Sequence, residues 1–326
     1  MPLTTADFSS LTDDLESIFS ETANSAIAEM TAAQLLFNMF DEGRLTHEHL
    51  VLHGMSGIKK LVEGQNIPST TSVEGDTITA TQEGYGAKAS ITKKMRMFDL
   101  HDQIEARVKS LTQAAFDNLD QSLADVLSYG ASTSYTDVYG ESVTSVGPDG
   151  LALFSASHTT PLNSTTFSNL INDGTSNNTA FSREGVVNTQ VLGKTYQDPN
   201  GLTRPVNYDI IVCAPTLTDT IERTINSPQM AGTSNNDDNP LRNKIKQIVE
   251  WERLENTGQS ASRSNYWYMA SSKNVKETLQ VIFAERPSLD APDVVYENKN
   301  WDYTLDFYYS ILRGFPNYIR QSSGVN

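Results

Sequence analysis

Cysteine is almost missing from this chain. Cys213 is the one thiol in 326 residues, which excludes an internal disulfide framework and a cysteine-built metal cage. Long hydrophobic runs are missing too. Nothing approaches the roughly 20 apolar residues that cross a bilayer. The amino terminus lacks the basic stretch and apolar core of a secretory leader. A soluble product made in the cytoplasm, with no membrane partner, is the expectation. Positive charge is scarce: 24 Lys and Arg stand against 40 Asp and Glu, a net charge of −16. A nucleic-acid reader would carry a basic face, whereas an acidic shell can enclose DNA without gripping it.

Catalytic and ligand signatures are thin as well. The glycines near residue 84 are followed by no GK[ST], so they form no phosphate loop. The Asn/Asp-rich run 232–239 lacks the alternating pattern of a calcium loop. His47, His49 and His53 cluster, and the last two would share a face if helical, but Glu48 is not where a zinc-protease helix needs it. No metal, cofactor or catalytic residue is expected. Ser155, His158 and Asp149 invite a hydrolase reading, yet a nucleophilic serine needs an elbow such as G-x-S-x-G, and none is present.

What is present is organised around one stretch. From Asp99 to Tyr129 the apolar residues Leu100, Ile104, Val108, Leu111, Ala115, Leu119, Leu123 and Val126 recur every three or four positions, the spacing of one helical face. Asp99 and Asp102 suit the start, and Gly130 suits a left-handed stop. The stripe is narrow, which fits either an ordinary core helix of a large domain or a spine along one edge of a flat subunit; periodicity alone does not choose between them.

The rest falls into segments. Residues 1–60 read as helical and arm-like, with one face through Phe8, Leu11, Leu15 and Ile18 and another through Ile27, Met30, Gln34, Phe37 and Phe40. Thr-rich segments 76–81 and 87–92 flank Gly84 and Gly86, which reads as a polar hairpin that projects and gains order from a partner. Deleting 68–92 is then expected to leave a folded subunit. Lys93, Lys94 and Arg96 form the chain's dense basic patch, suited to acidic surfaces of a neighbouring copy. Residues 181–320 read as a compact α/β unit. Ser182 caps a helix, 208–213 form a buried strand holding an inert Cys213, and Leu217, Ile221 and Ile225 follow on a helix. Val249 and Trp267 mark further strands, 274–281 a short helix, and Pro287 and Pro292 loops. From Trp301 to Ile311 strict alternation marks a long strand.

This order of parts resembles the major capsid proteins of tailed bacteriophages, of the Hong Kong 97-type fold and nearest the Mu-like head subunits. The residues that carry the likeness are 91–94 leading into the long helix, DGLALFSASH at 149–158, VCAP at 212–215, and 301–313. The resemblance implies an α+β fold. It comprises an N-terminal arm (1–62), an extended hairpin loop (63–97), a peripheral domain (98–180, spine 99–129), an axial domain (181–298) and a return strand with tail (299–326). It implies a virion subunit made in a bacterial host that self-assembles as pentamers and hexamers around double-stranded DNA. Portal and scaffolding proteins would be partners, and a decoration protein a further one. Glu83, Tyr85, Lys88, Lys93, Lys94 and Arg96 become intersubunit contact candidates. Lys88 matches a crosslinking lysine by position only, and no carboxylate marks a crosslink. The alternatives are an encapsulin-like compartment shell, a serine hydrolase using Ser155 and His158, and a sugar-binding tail protein.

Overall fold

The computed structural model describes residues 5–55, 58, 60–67, 69–70, 72–98, 101–159, 166–198, 201–229, 238–255, 263–294, 297 and 299–324. Residues 232–237 of the Asn/Asp-rich run 232–239, and Asp99 and Leu100 expected in the spine, therefore lie outside the described residues.

The chain begins with α1 (Thr5–Glu29) and α2 (Thr31–Leu36), followed by β1 (Asn38–Asp41) and β2 (Thr46–Met55). Residues 38–41 and 46–55 are thus strand, not helix. Phe37 closes α2 and shares the core of Met30, but Phe40 lies on β1, and the histidine cluster lies on an extended chain. Then come β3 (Ser72–Thr81), β4 (Glu83–Ile91) and α3 (Lys93–Met97). The Thr92 side chain accepts from the Met95 N–H at 3.3 Å, capping α3.

The spine, α4 (His101–Ser128), is where the periodicity puts it. Its first half buries only a stripe, with Ile104 and Val108 inside and Gln103, Arg107 and Lys109 outside. From Leu119 to Ser128 every residue is buried, including Asp120, Gln121, Ser122 and Asp125. The narrow-stripe reading therefore fails for the second half, which is wrapped on all sides. Gly130 does not end the helix in a left-handed turn; it is not among the glycines with positive φ. A Cβ there would meet the Phe154 ring at 2.6 Å, so glycine is needed for close approach.

After α4 come the ribbon β5 (Ser134–Thr136) with β6 (Ser142–Thr144) and the short pair β7 (His158–Thr159) with β8 (Thr166–Phe167). Helix α5 (Arg183–Lys194) starts where Ser182 Oγ accepts from Gly185 N–H at 3.1 Å. Strand β9 (Ile210–Cys213) leads into α6 (Pro215–Asn226), followed by β10 (Gln247–Glu250) and β11 (Trp267–Ala270). Helix α7 is one turn, Val275–Thr278, and residues 279–281 already belong to β12 (Leu279–Leu289). Pro287 sits inside β12, where the register shifts between Glu285 and Ser288, and marks no loop. The chain ends with β13 (Asp293–Val294), β14 (Trp301–Arg313) and β15 (Ile319–Ser322).

Among the described residues two sheets dominate. In one, β10 runs parallel to β9, β9 pairs antiparallel with β11, and β11 with β15. In the other, β14 is central. It pairs antiparallel with β12, with β4, and with β13 at its start, and β1 lies parallel to β12. The expected hairpin of 76–81 with 87–92 does not form. Strand β3 pairs with β2, and β4 pairs with β14 from Glu83–Tyr309 to Ile91–Trp301. Gly84 is no turn glycine either: it lies within β4, and a Cβ there would clash with the Tyr308 ring.

One core joins both sheets. Ile210, Val212, Tyr268 and Ala270 face it from the four-stranded sheet, and Val281, Phe283, Leu305, Phe307 and Tyr309 from the other. Leu123 and Leu127 of α4 lie between, with Ala26, Met30 and Leu36 of the N-terminal helices. The alternate residues Ile211, Cys213, Trp267 and Met269 face a second core under α5 and α6. Burial on both faces explains why β9 and β11 read as continuous apolar runs.

Candidate assembly surfaces

The six contact candidates fall into two groups. Glu83, Tyr85 and Lys88 lie on β4, inside the subunit's own sheet. The Tyr85 hydroxyl donates to Glu83 Oε2 at 2.8 Å. Its ring stacks on Tyr139 at 4.2 Å and lies 5.0 Å from Tyr309. Burial, then the hydrogen bond to Glu83, pushes that hydroxyl far above its usual pKa. Lys88 Nζ pairs with Asp302 Oδ2 at 3.0 Å, and Ser90 Oγ donates to Asp302 Oδ1 at 2.5 Å. The hydrogen bonds from Ser90 and Lys88 hold the Asp302 carboxyl below the ordinary range. The segment just before the spine is therefore ordered by its own chain, against the expectation that a partner orders it.

Lys93 and Lys94 are exposed on α3; the side chain of Arg96 lies outside the described residues. Met95 is buried against the spine, while Met97 and Phe98 are 66% and 67% exposed. Basic and apolar side chains thus share one surface ridge.

The surface that sequence reasoning missed is the tip of the β2–β3 hairpin. Its paired part runs from Thr46–Thr81 to Met55–Ser72. Its base packs by Ile78 and Ala80 against Ile282 and Leu312 of the five-stranded sheet. At the tip, Ile58 is 98% exposed and Ile67 82%, with Leu61 and Val62 also exposed. Apolar side chains held out in water on a two-stranded ribbon make the tip a candidate contact surface. The signal available in sequence was a set of apolar residues between Gly57 and Gly64 with neither period.

The catalytic alternative does not assemble. His158 Nδ1 lies 2.7 Å from Asp149 Oδ2, but His158 is fully buried, with the tilted Phe167 ring 5.3 Å from its own. Its Nε2, the atom that would take a serine proton, has no hydrogen-bond partner. Ser155 Oγ instead accepts from Ser157 N–H. Burial works to raise the Asp149 carboxyl. The hydrogen bond and charge of His158, with the Leu151 N–H, outweigh it and leave the carboxyl lowered. The motif is a latch: Leu153 and Phe154 are buried beside α4, and Asn169, which the sequence did not single out, donates to Leu153 O at 2.7 Å. Cys213 is fully buried, and burial pushes its thiol up to about 11, so it is inert. Among the described residues no three His, Cys, Asp or Glu side chains converge as metal ligands. No described helix is long and apolar enough to cross a membrane.

Comparison with known proteins places this architecture. A family model described as phage capsid protein matches residues 75–318. The fold is similar to the capsid of Myoviridae phage XM1, with 13% identity, 91% of this chain and 92% of that chain covered, and a TM-score of 0.51. It is also similar to a structure of Mycobacterium phage Patience, with 9% identity, 94% and 87% covered, and a TM-score of 0.50. A search of curated proteins finds no match to the sequence. The family match spans most of the chain: the chain belongs to the phage capsid protein family and is a major capsid subunit with the Hong Kong 97-type fold.

Proposed function

We propose that copies of this subunit close the icosahedral head of a tailed phage as pentamers and hexamers around double-stranded DNA. The observation that carries this reading is the β2–β3 hairpin, anchored at its base and apolar at its tip. Such a tip is stable only when covered, and an adjacent copy in a closed shell covers it. The extended loop is therefore assigned to 46–81, upstream of the 63–97 first expected. The axial role goes to the four-stranded sheet with α5 and α6, and the peripheral role to α4 with the five-stranded sheet. Strand β15 returns the chain from the peripheral to the axial sheet. The net charge of −16 keeps the wall from gripping DNA, since binding would need neutralised phosphates. Portal and scaffolding proteins are the other partners, the subunit is made in the host cytoplasm, and its role is structural, not enzymatic.

Electron microscopy of the full chain, expressed with the genes flanking it, tests this. Closed icosahedral shells are expected, with DNA inside when a portal is present. Monomers at every concentration, or shells that enclose a protein cargo and have no portal vertex, would overturn it.

A further inference from the structure

A groove of about 320 Å³ opens where the N-terminal helices, the spine and β10 meet. Its floor is apolar: Ala26, Met30, Phe116 and Trp251, all nearly fully buried. Its rim is acidic. Glu29, Glu250 and Glu252 are exposed, and none of the ion pairs formed among the described residues involves them. Asp117 and Asp120 also line it, but Arg253 engages both, at 2.5 and 3.1 Å. The unneutralised charge is thus the three glutamates.

The ridge on α3 is the complement in both respects. Lys93 and Lys94 are exposed and enter no ion pair among the described residues, and Met97 and Phe98 project apolar surface beside them. In a chain with 24 basic residues, this is the one dense basic patch. We infer that the α3 ridge of one copy docks in the groove of the next, with Phe98 or Met97 on the apolar floor and Lys93 and Lys94 against the glutamate rim. The subunit cannot fill its own groove. From His101 to Asp117 the spine alone spans about 24 Å at 1.5 Å per residue. Ridge and groove are different surfaces, so the contact is heterologous. Repeated by rotation, such a contact closes rings, as a capsid needs. An aromatic anchor with a charged surround is also how interface energy is commonly concentrated.

This inference rests on the capsid reading. The test compares the full chain with Lys93→Glu/Lys94→Glu, with Glu29→Lys/Glu250→Lys/Glu252→Lys, and with both sets combined, by light scattering and electron microscopy. Each single set is expected to raise the subunit concentration needed for assembly about tenfold, and the combination to bring it back within about threefold of the original chain. In a second experiment, Lys94→Cys with Glu250→Cys is oxidised. A ladder of linked oligomers is expected from assembled particles and monomers only from unassembled subunits. Single sets that assemble like the original chain, a combination no better than either set, or particles that give no ladder would overturn the docking while leaving the capsid reading intact. Failure of the unaltered chain to assemble would overturn both.

Discussion

Asp125 lies in the part of α4 that is wrapped on all sides, with no exposed surface. Its Oδ1 accepts from Gln121 Nε2 at 3.0 Å, and its Oδ2 has no partner. Burial, aided by the nearby charge of Asp137, raises its carboxyl from 3.8 to about 7, against the opposing bond from Gln121. Between those two pH values the folded chain holds a proton that the unfolded chain has released. Stability from this group is therefore full below about pH 4, falls as pH rises, and is lost above about 7. Asp125→Asn keeps the acceptor for Gln121 and has no charge to bury. The variant is expected to unfold like the original subunit near pH 4 and to be more stable at pH 8, by on the order of 2–4 kcal/mol. Urea titrations of the unassembled subunit at the two pH values check this; an equal difference at both would remove Asp125 as the cause.

At the scale of elements, the spine and the strand from Trp301 were legible because their apolar positions repeat with one period, and the strand expected over 208–213, observed as Ile210–Cys213, because it is a short unbroken apolar run. The hairpin was not. β3 and β4 are adjacent in sequence and similar in composition, and one residue separates them, so a local turn was the natural reading. Their partners lie on opposite sides in sequence: β2 comes before β3, and β14 lies more than 200 positions beyond β4. Pairing at that distance leaves no mark on local pattern. The exposed apolar tip was hidden for a related reason, since an exposed apolar residue resembles a core residue in sequence. The contact candidates on β4 were chosen for looking outlying, and Tyr85 instead packs on Tyr139. These pairings change what a deletion should do. Removing 68–92 takes away β4 and opens the five-stranded sheet, so that subunit is expected to misfold. Replacing only 57–70 by a short glycine turn spares every β2–β3 and β4–β14 partner. That subunit is expected to keep its circular dichroism and thermal midpoint within about 2 °C and to form no stable shells. Intact shells from it would remove the hairpin tip from the assembly contacts.

The two sheets invite description as two domains, but the whole molecule is built around a core they share. Tyr268 of the four-stranded sheet donates its hydroxyl to Leu127 O at 3.1 Å, and Tyr309 of the five-stranded sheet bonds Ser122 Oγ at 3.0 Å. Both bonds end on the buried half of α4. The three tryptophans sample different regions: Trp251 the shared core, Trp267 the face under α5 and α6, and Trp301 the far end with Leu15 and Ile104. Chains of this size commonly unfold through intermediates. Here neither sheet can leave without exposing the core of the other, so a single transition is expected. Variants retaining one tryptophan, the other two changed to Phe, test it at concentrations too low for assembly. In each variant the urea midpoint from fluorescence should match the midpoint from circular dichroism. If Trp267 melted apart from Trp301, the two sheets would be separable, and the shell could change shape by bending its subunits. A single transition favours rearrangement of the shell by whole subunits turning at their contacts.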